Sequence, residues 1–173
     1  NTYAEKFGIR GAVVSAVDLI RGIGVCAGLD VIEVIGATGN VHTNFEGKAE
    51  AAIKALRDGA DFVYIHLEAP DEAGHRHEIE NKVKSIELID EKIVAPVIKA
   101  LEADNEEFAI LIMPDHPTPL AIRTHTSDPV PYIIYRSGNC GEPKAVSYTE
   151  AEAKKTGIVV QNGYTLMNKL LGK

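Results

Sequence analysis

Two near-continuous apolar runs, residues 62–67 and 108–113, each give way to a proline, Pro70 or Pro114, and then to an acid with a histidine close behind it. Runs this short, β-rich and nearly free of alternation suit strands of a parallel sheet whose two faces are both covered. In such sheets, ligands collect beyond the carboxyl ends of the strands, where loops and helix amino termini converge. The polar residues that follow the runs, DEAGH at 71–75 and DH at 115–116, therefore fall where a site is expected.

The rest of the chain keeps a strand–helix rhythm. Residues 11–16 read as a buried strand, and 17–27 as a helix closed by Gly28; 31–35 read as a second strand, and 36–40 as a glycine-rich loop. Thr43 and Glu46 have capping-box spacing at the head of a helix that runs to Gly59. After the strand at 61–68, Ile79, Val83, Ile86, Ile89 and Ile93 mark the buried face of a long helix, with Glu80, Lys84, Glu87 and Glu91 in water. Pro96 is expected to kink or interrupt it. Strands at 108–113 and 130–135 and a short helix at 163–171 complete the set. The order predicts one α/β domain over residues 1–173, a mostly parallel sheet with helices on both faces.

A net charge of −7 argues against nucleic acid as a partner, because phosphate backbones recruit dense Lys and Arg patches. The apolar runs are too short to cross a bilayer, and no export signal is evident. Cys26 and Cys140 have neither metal-type spacing nor disulfide density; a reducing cytoplasm is the simplest location, with both thiols as small buried apolar groups.

Asp71, His75, Asp115, His116 and His125 supply five candidate metal ligands. Carboxylate oxygen mixed with imidazole nitrogen suits zinc, manganese and similar divalent ions, and phosphoryl-transfer sites often hold two. Asp71 and His75 are four apart and face the same way on a helix, although an aspartate N-cap with a solvated histidine reads equally well. Asp115 and His116 are also compatible with a plain turn, and His125 with a surface loop. The repetition at matching strand ends favours a shared site. His66 reads as a hydrogen-bonded core residue and His42 and His77 as solvated. Lys6 and Arg10 are either substrate contacts or solvated cations, and the 36–40 loop lacks the Lys-Ser/Thr ending of a P-loop.

The stretches HLEAPDEAGH (66–75), MPDHPTP (113–119) and RTHTSDPVP (123–131), with EKFG (5–8) and GATG (36–39), resemble the archaeal-type cofactor-independent phosphoglycerate mutases of the alkaline phosphatase superfamily. The resemblance spans nearly the whole chain. It implies a two-metal site that interconverts 2- and 3-phosphoglycerate through a transient phosphoserine, without 2,3-bisphosphoglycerate, in glycolysis and gluconeogenesis. Manganese is the expected ion, with zinc, cobalt or magnesium as alternatives. By motif match, Asp71, His75 and His125 hold one ion and Asp115 and His116 contribute to the second, while Lys6 contacts substrate. No segment resembles the part that carries the serine, so the chain reads as a carboxyl-terminal fragment, inactive alone. A phosphohydrolase of the same superfamily and a non-catalytic metal-binding module are the competing functions.

Overall fold

Four consecutive buried residues, Gly11–Val14, form β1, the middle strand of a parallel sheet in the computed structural model, which describes residues 1–138 and 141–173. The chain divides into two units: Asn1–Ala103 with Pro119–Thr124, and Asp104–Thr118 with His125–Lys173.

In the first unit, α1 (Tyr3–Phe7) precedes β1, and β1 is flanked by β2 (Asp30–Ile32) and β3 (Phe62–Ile65), all parallel, with Val13 opposite both Val31 and Tyr64. The chain leaves β1 for β2 through α2 (Asp18–Cys26), then crosses back over β1 to β3 through α3 (Phe45–Arg57). With right-handed crossovers, one step outward and two steps back put α2 and α3 on opposite faces. That explains why all of β1 is sealed. Two glycines set the spacing: a Cβ on Gly24 would stand 2.5 Å from Val13 Cγ1, and one on Gly11 2.6 Å from Leu29 Cδ2. On its side, α3 presents Phe45, Ala49 and Ala52, small groups apart from one ring, which allow close approach.

After β3 come α4 (Ala69–His75) and α5 (Ile79–Ile89), joined through His77, whose φ of 57° turns the chain between them. Next to Pro96, the helix changes to a π turn over Asp90–Val94 and resumes as α6 (Ala95–Ala103). Proline has no N–H to continue the ladder, so the interruption expected there takes the form of a wider turn. The expected buried face of α5 is not buried: Ile79, Val83 and Ile86 are each more than half exposed, whereas Ser85 is sealed and Ile93 is covered. Helical periodicity gives an apolar stripe but not what covers it.

The second unit pairs β4 (Ala109–Ile112) with β5 (Ile133–Arg136), antiparallel, Leu111 opposite Ile134. β4 lies within its expected run and β5 begins three residues later than expected and ends at Arg136, and their direction departs from a uniformly parallel sheet. The segment joining them contains only turns and extended chain, and a parallel return requires a crossover, usually helical. Tyr148 ties the pair together by donating toward the carbonyls of Pro131 (3.1 Å) and Ile112 (3.4 Å). Beyond it, α7 (Glu150–Lys155) starts at Thr149, whose hydroxyl accepts from Glu152 N, and α8 (Leu166–Leu170) is steadied by Arg136 reaching the Leu170 carbonyl at 3.1 Å.

Two smaller expectations fail. Asn44, not Thr43, caps α3, because the Thr43 hydroxyl is taken by Thr38 N at 2.9 Å. Cys26, at the end of α2, is exposed rather than buried, and Cys140 lies outside the described residues. Among the described residues, no helix is long and apolar enough to cross a membrane.

Candidate metal centre

Pro70 in the first turn of α4 favours the helical φ and needs no hydrogen-bond donor there, so the helix starts directly after β3 and its loop. Asp71 and His75 stand one helical turn apart on it, partly buried, with Asp71 Oδ2 3.4 Å from His75 Nε2. His75 Nδ1 lies 2.9 Å from the carbonyl of Arg123. A carbonyl only accepts, so Nδ1 donates to it, and in the neutral ring this tautomer leaves the Nε2 lone pair facing the Asp71 carboxylate. Two lone-pair donors converging this closely leave room for a cation between them. The carbonyl brace is also the kind of outer contact that orients ligating imidazoles.

His77 adds a second brace that the sequence did not reveal: its Nδ1 lies 2.6 Å from the Leu120 carbonyl. Although exposed, it is thus bonded. Together, His75 and His77 hold residues 119–124 against the end of α4, and His125 is the second residue along the chain from Arg123.

Within the second unit, Asp115 Oδ2 lies 3.3 Å from His116 Nε2, and His116 Nδ1 3.3 Å from the Thr118 hydroxyl. The His116 and His125 rings stack at 3.6 Å. Asp115, His116 and His125 therefore sit together there. Thr126 does not orient His125 through its side chain: its buried hydroxyl has no hydrogen-bond partner among the described residues.

At the carboxyl ends of β1 and β3, where the connections diverge to either side of β1, Ser15 Oγ accepts from Val17 N (3.0 Å) and lies 3.2 Å from His66 Nδ1. His66 is thus a bonded, half-buried residue, as its sequence context implies, with Ser15 the unexpected partner. Lys6, by contrast, is exposed on α1, its ammonium 5.2 Å from the centre of the Phe7 ring. Tyr3 of the same helix stacks on Phe62 at the start of β3, whereas Asp71 and His75 follow its end. No hydrogen bond or ion pair joins Lys6 to those ligands among the described residues.

Burial pushes the Glu68 carboxyl above its usual range, helped by the nearby negative charge of Glu72 and Asp71 and opposed by Lys48. Burial also pushes the Lys48 ammonium down, with Glu68 acting in the other direction.

A family model described as the metalloenzyme superfamily matches residues 1–170. The chain belongs to this superfamily. This metalloenzyme is 54% identical to the 2,3-bisphosphoglycerate-independent phosphoglycerate mutase of Methanosarcina acetivorans, over 90% of its own length and 39% of that protein's. It is 51% identical to the probable 2,3-bisphosphoglycerate-independent phosphoglycerate mutase of Geobacter sulfurreducens, over 99% and 43% respectively. Its fold matches the solved structure of the PH0037 protein from Pyrococcus horikoshii with a TM-score of 0.89 at 30% identity, covering 99% of this chain and 50% of that one. The chain thus spans about two fifths of the length of the curated relatives it matches. The expected fold, part of an alkaline phosphatase-like α/β domain, and the expected resemblance are borne out. Membership of a metalloenzyme superfamily brings divalent-metal use with it.

Proposed function

We propose that this chain is the ligand-bearing part of a cofactor-independent phosphoglycerate mutase, acting in the cytoplasm on the glycolytic and gluconeogenic interconversion of 2- and 3-phosphoglycerate. The observation that carries the reading is the His75 brace: with Nδ1 bound to the Arg123 carbonyl, Nε2 faces the Asp71 carboxylate as an imidazole–carboxylate donor pair. The names of relatives at about 50% identity supply the reaction class.

In this proposal Asp71, His75 and His125 hold one divalent ion. The support for His125 is covalent: two peptide units span at most about 7.6 Å, so a chain pinned at Arg123 brings residue 125 with it. Asp115 and His116 contribute to a second ion, with further groups from the length of the relatives that this chain does not span. Manganese is the ion that the resemblance implies, and zinc, cobalt or magnesium are also compatible with a carboxylate–imidazole donor set. Bound there, such ions neutralise charge on a transferring phosphoryl group and acidify a coordinated hydroxyl. The nucleophilic serine belongs to the unspanned part, so the 173 residues alone bind metal without mutase turnover. Lys6 is assigned to substrate contact through the EKFG resemblance, and its present exposure leaves it available.

The test has two stages. Calorimetric titration of the chain with Mn2+ should give binding that falls by more than about a hundredfold in Asp71→Ala and His75→Ala, since even the partners that orient ligands are worth about tenfold to a hundredfold; no binding to the unaltered chain refutes the ligand set. A chimera in which this chain replaces the matched 43% of the Geobacter sulfurreducens relative should convert 3- to 2-phosphoglycerate. Free phosphate without 2-phosphoglycerate would make it a phosphohydrolase, and metal binding without either product a non-catalytic module.

A further inference from the structure

Two histidines at the end of one helix reach two carbonyls of one turn. His75 Nδ1 lies 2.9 Å from the Arg123 carbonyl, and His77 Nδ1 2.6 Å from the Leu120 carbonyl. The first bond sets the tautomer of a residue assigned to an ion. The second comes from a histidine that no ion claims.

The acceptors belong to a single closed turn. Ile122 N and Arg123 N both donate to the Pro119 carbonyl, at 3.2 and 2.9 Å, so a grip on Leu120 is a grip on Arg123. Arg123 ends the turn at a φ of 56°, a left-handed conformation that side chains rarely adopt and that persists only where the surroundings hold it. Packing does little of that holding, because residues 121–124 are all exposed. His77, in contrast, is anchored to the ligand helix: its N donates to the Gly74 carbonyl at 3.2 Å, and Glu78 N to the Ala73 carbonyl at 2.9 Å.

We propose that His77 is a positioning residue for His75. By tying the Leu120 carbonyl to the end of α4, it aims the Arg123 carbonyl at His75 Nδ1 and so keeps the lone pair of that ring on Nε2, where a divalent ion takes it. This inference rests on the metal reading given above.

The experiment compares the unaltered chain, His77→Gly and His77→Asn, with circular dichroism confirming that each is folded. Both replacements accept a left-handed backbone, so the joint between α4 and α5 is kept; only asparagine keeps a nitrogen donor bonded to Cγ, as Nδ1 is. Nitrogen NMR of the metal-free chains, above about pH 8 so that histidine rings are ordinarily neutral, reads the His75 tautomer, its signals assigned by their loss in His75→Ala. Mn2+ titration reads the affinity. The unaltered His75 ring should be protonated at Nδ1. In His77→Gly it should divide between the two tautomers and Mn2+ affinity should fall about tenfold, and His77→Asn should recover most of both. Where His77→Gly does not fold, His77→Asp serves, shaped like asparagine but without the donor, and is judged on the tautomer alone. An unaltered ring protonated at Nε2, a tautomer that ignores the loss of the donor, an affinity that ignores a changed tautomer, or an asparagine variant no better than the glycine one overturns the inference alone. No Mn2+ binding by the unaltered chain overturns the metal reading and this inference together.

Discussion

Helix α2 contains two glycines, and the structure gives them opposite consequences for the same substitution. Alanine for glycine inside a helix ordinarily stabilises by about 1 kcal/mol, through lower unfolded-state entropy and better helix propensity. At Gly22 nothing lies within 4 Å of the position a Cβ would take, so that gain should appear almost intact, about 0.5–1 kcal/mol. At Gly24 the added Cβ would stand 2.5 Å from Cγ1 of Val13, a fully buried residue in the central strand. Overpacking of that kind costs typically about 1–3 kcal/mol. After the propensity gain is subtracted, Gly24→Ala should lose on the order of 1–2 kcal/mol. The two variants should therefore differ by about 2–3 kcal/mol, which at a urea m-value of roughly 2 kcal/mol/M separates their midpoints by on the order of 1 M. Val13→Ala combined with Gly24→Ala should destabilise by less than the sum of the two, because the first removes the methyl groups that the second collides with. If Gly24→Ala stabilises as much as Gly22→Ala, α2 does not rest on β1. The crossover geometry that fixes the carboxyl ends of β1 and β3 would then be wrong.

Asn44→Ala removes the side-chain acceptor for Gly47 N and the donor to the Ile35 carbonyl, both at 2.9 Å, and should cost about 1–2 kcal/mol in urea denaturation; Asn44→Asp, which keeps only the cap, should fall between the two. Tyr148 is a half-buried phenol whose pKa is pushed up to about 12 by burial and, to a lesser degree, by Glu150. Its folded-state value lies above the unfolded value near 10, so its contribution is fully present below about pH 10 and is lost as pH rises from there toward 12. Ultraviolet titration should show a late phenol near pH 12 that Tyr148→Phe removes, together with a shallower loss of stability in that pH window; a variant with the same alkaline profile as the unaltered chain would contradict the burial.

Sequence made the local elements legible where one physical signal dominated. Three of the five strands lie within the apolar runs that predict them, while β2 and β5 overlap theirs, β2 starting one residue early at Asp30 and β5 ending one late at Arg136, and Pro96 disturbs its helix for the reason proline always does. The caps of α1 and α7 were readable in TYAE and TEAE, each a threonine three residues ahead of a glutamate, yet these helices are short and have little apolar periodicity to draw notice. Burial was the weaker inference. The stripe of Ile79, Val83 and Ile86 has the spacing of a core face, and Cys26 the chemistry of a core residue, but both are exposed, since amphipathicity records a preference rather than a partner.

The candidate site divides in the same way. Ligand chemistry shows in residue type, so Asp71, His75, Asp115, His116 and His125 stand out at the ends of their runs. The groups that brace them do not, because their roles depend on contacts remote in sequence: Arg123 offers His75 only a carbonyl, and His77 bonds to Leu120 across 43 positions. A lysine in a helix normally reads as solvated. Lys48 had a contrary signal, since with Ala52 and Ala55 at four and seven residues it shares the small-residue stripe that α3 turns toward the sheet, where Ala52 is sealed. A charge on an apolar stripe requires a counter-charge. Glu68, three residues before Asp71, is the carboxylate whose negative charge acts against the burial of that ammonium.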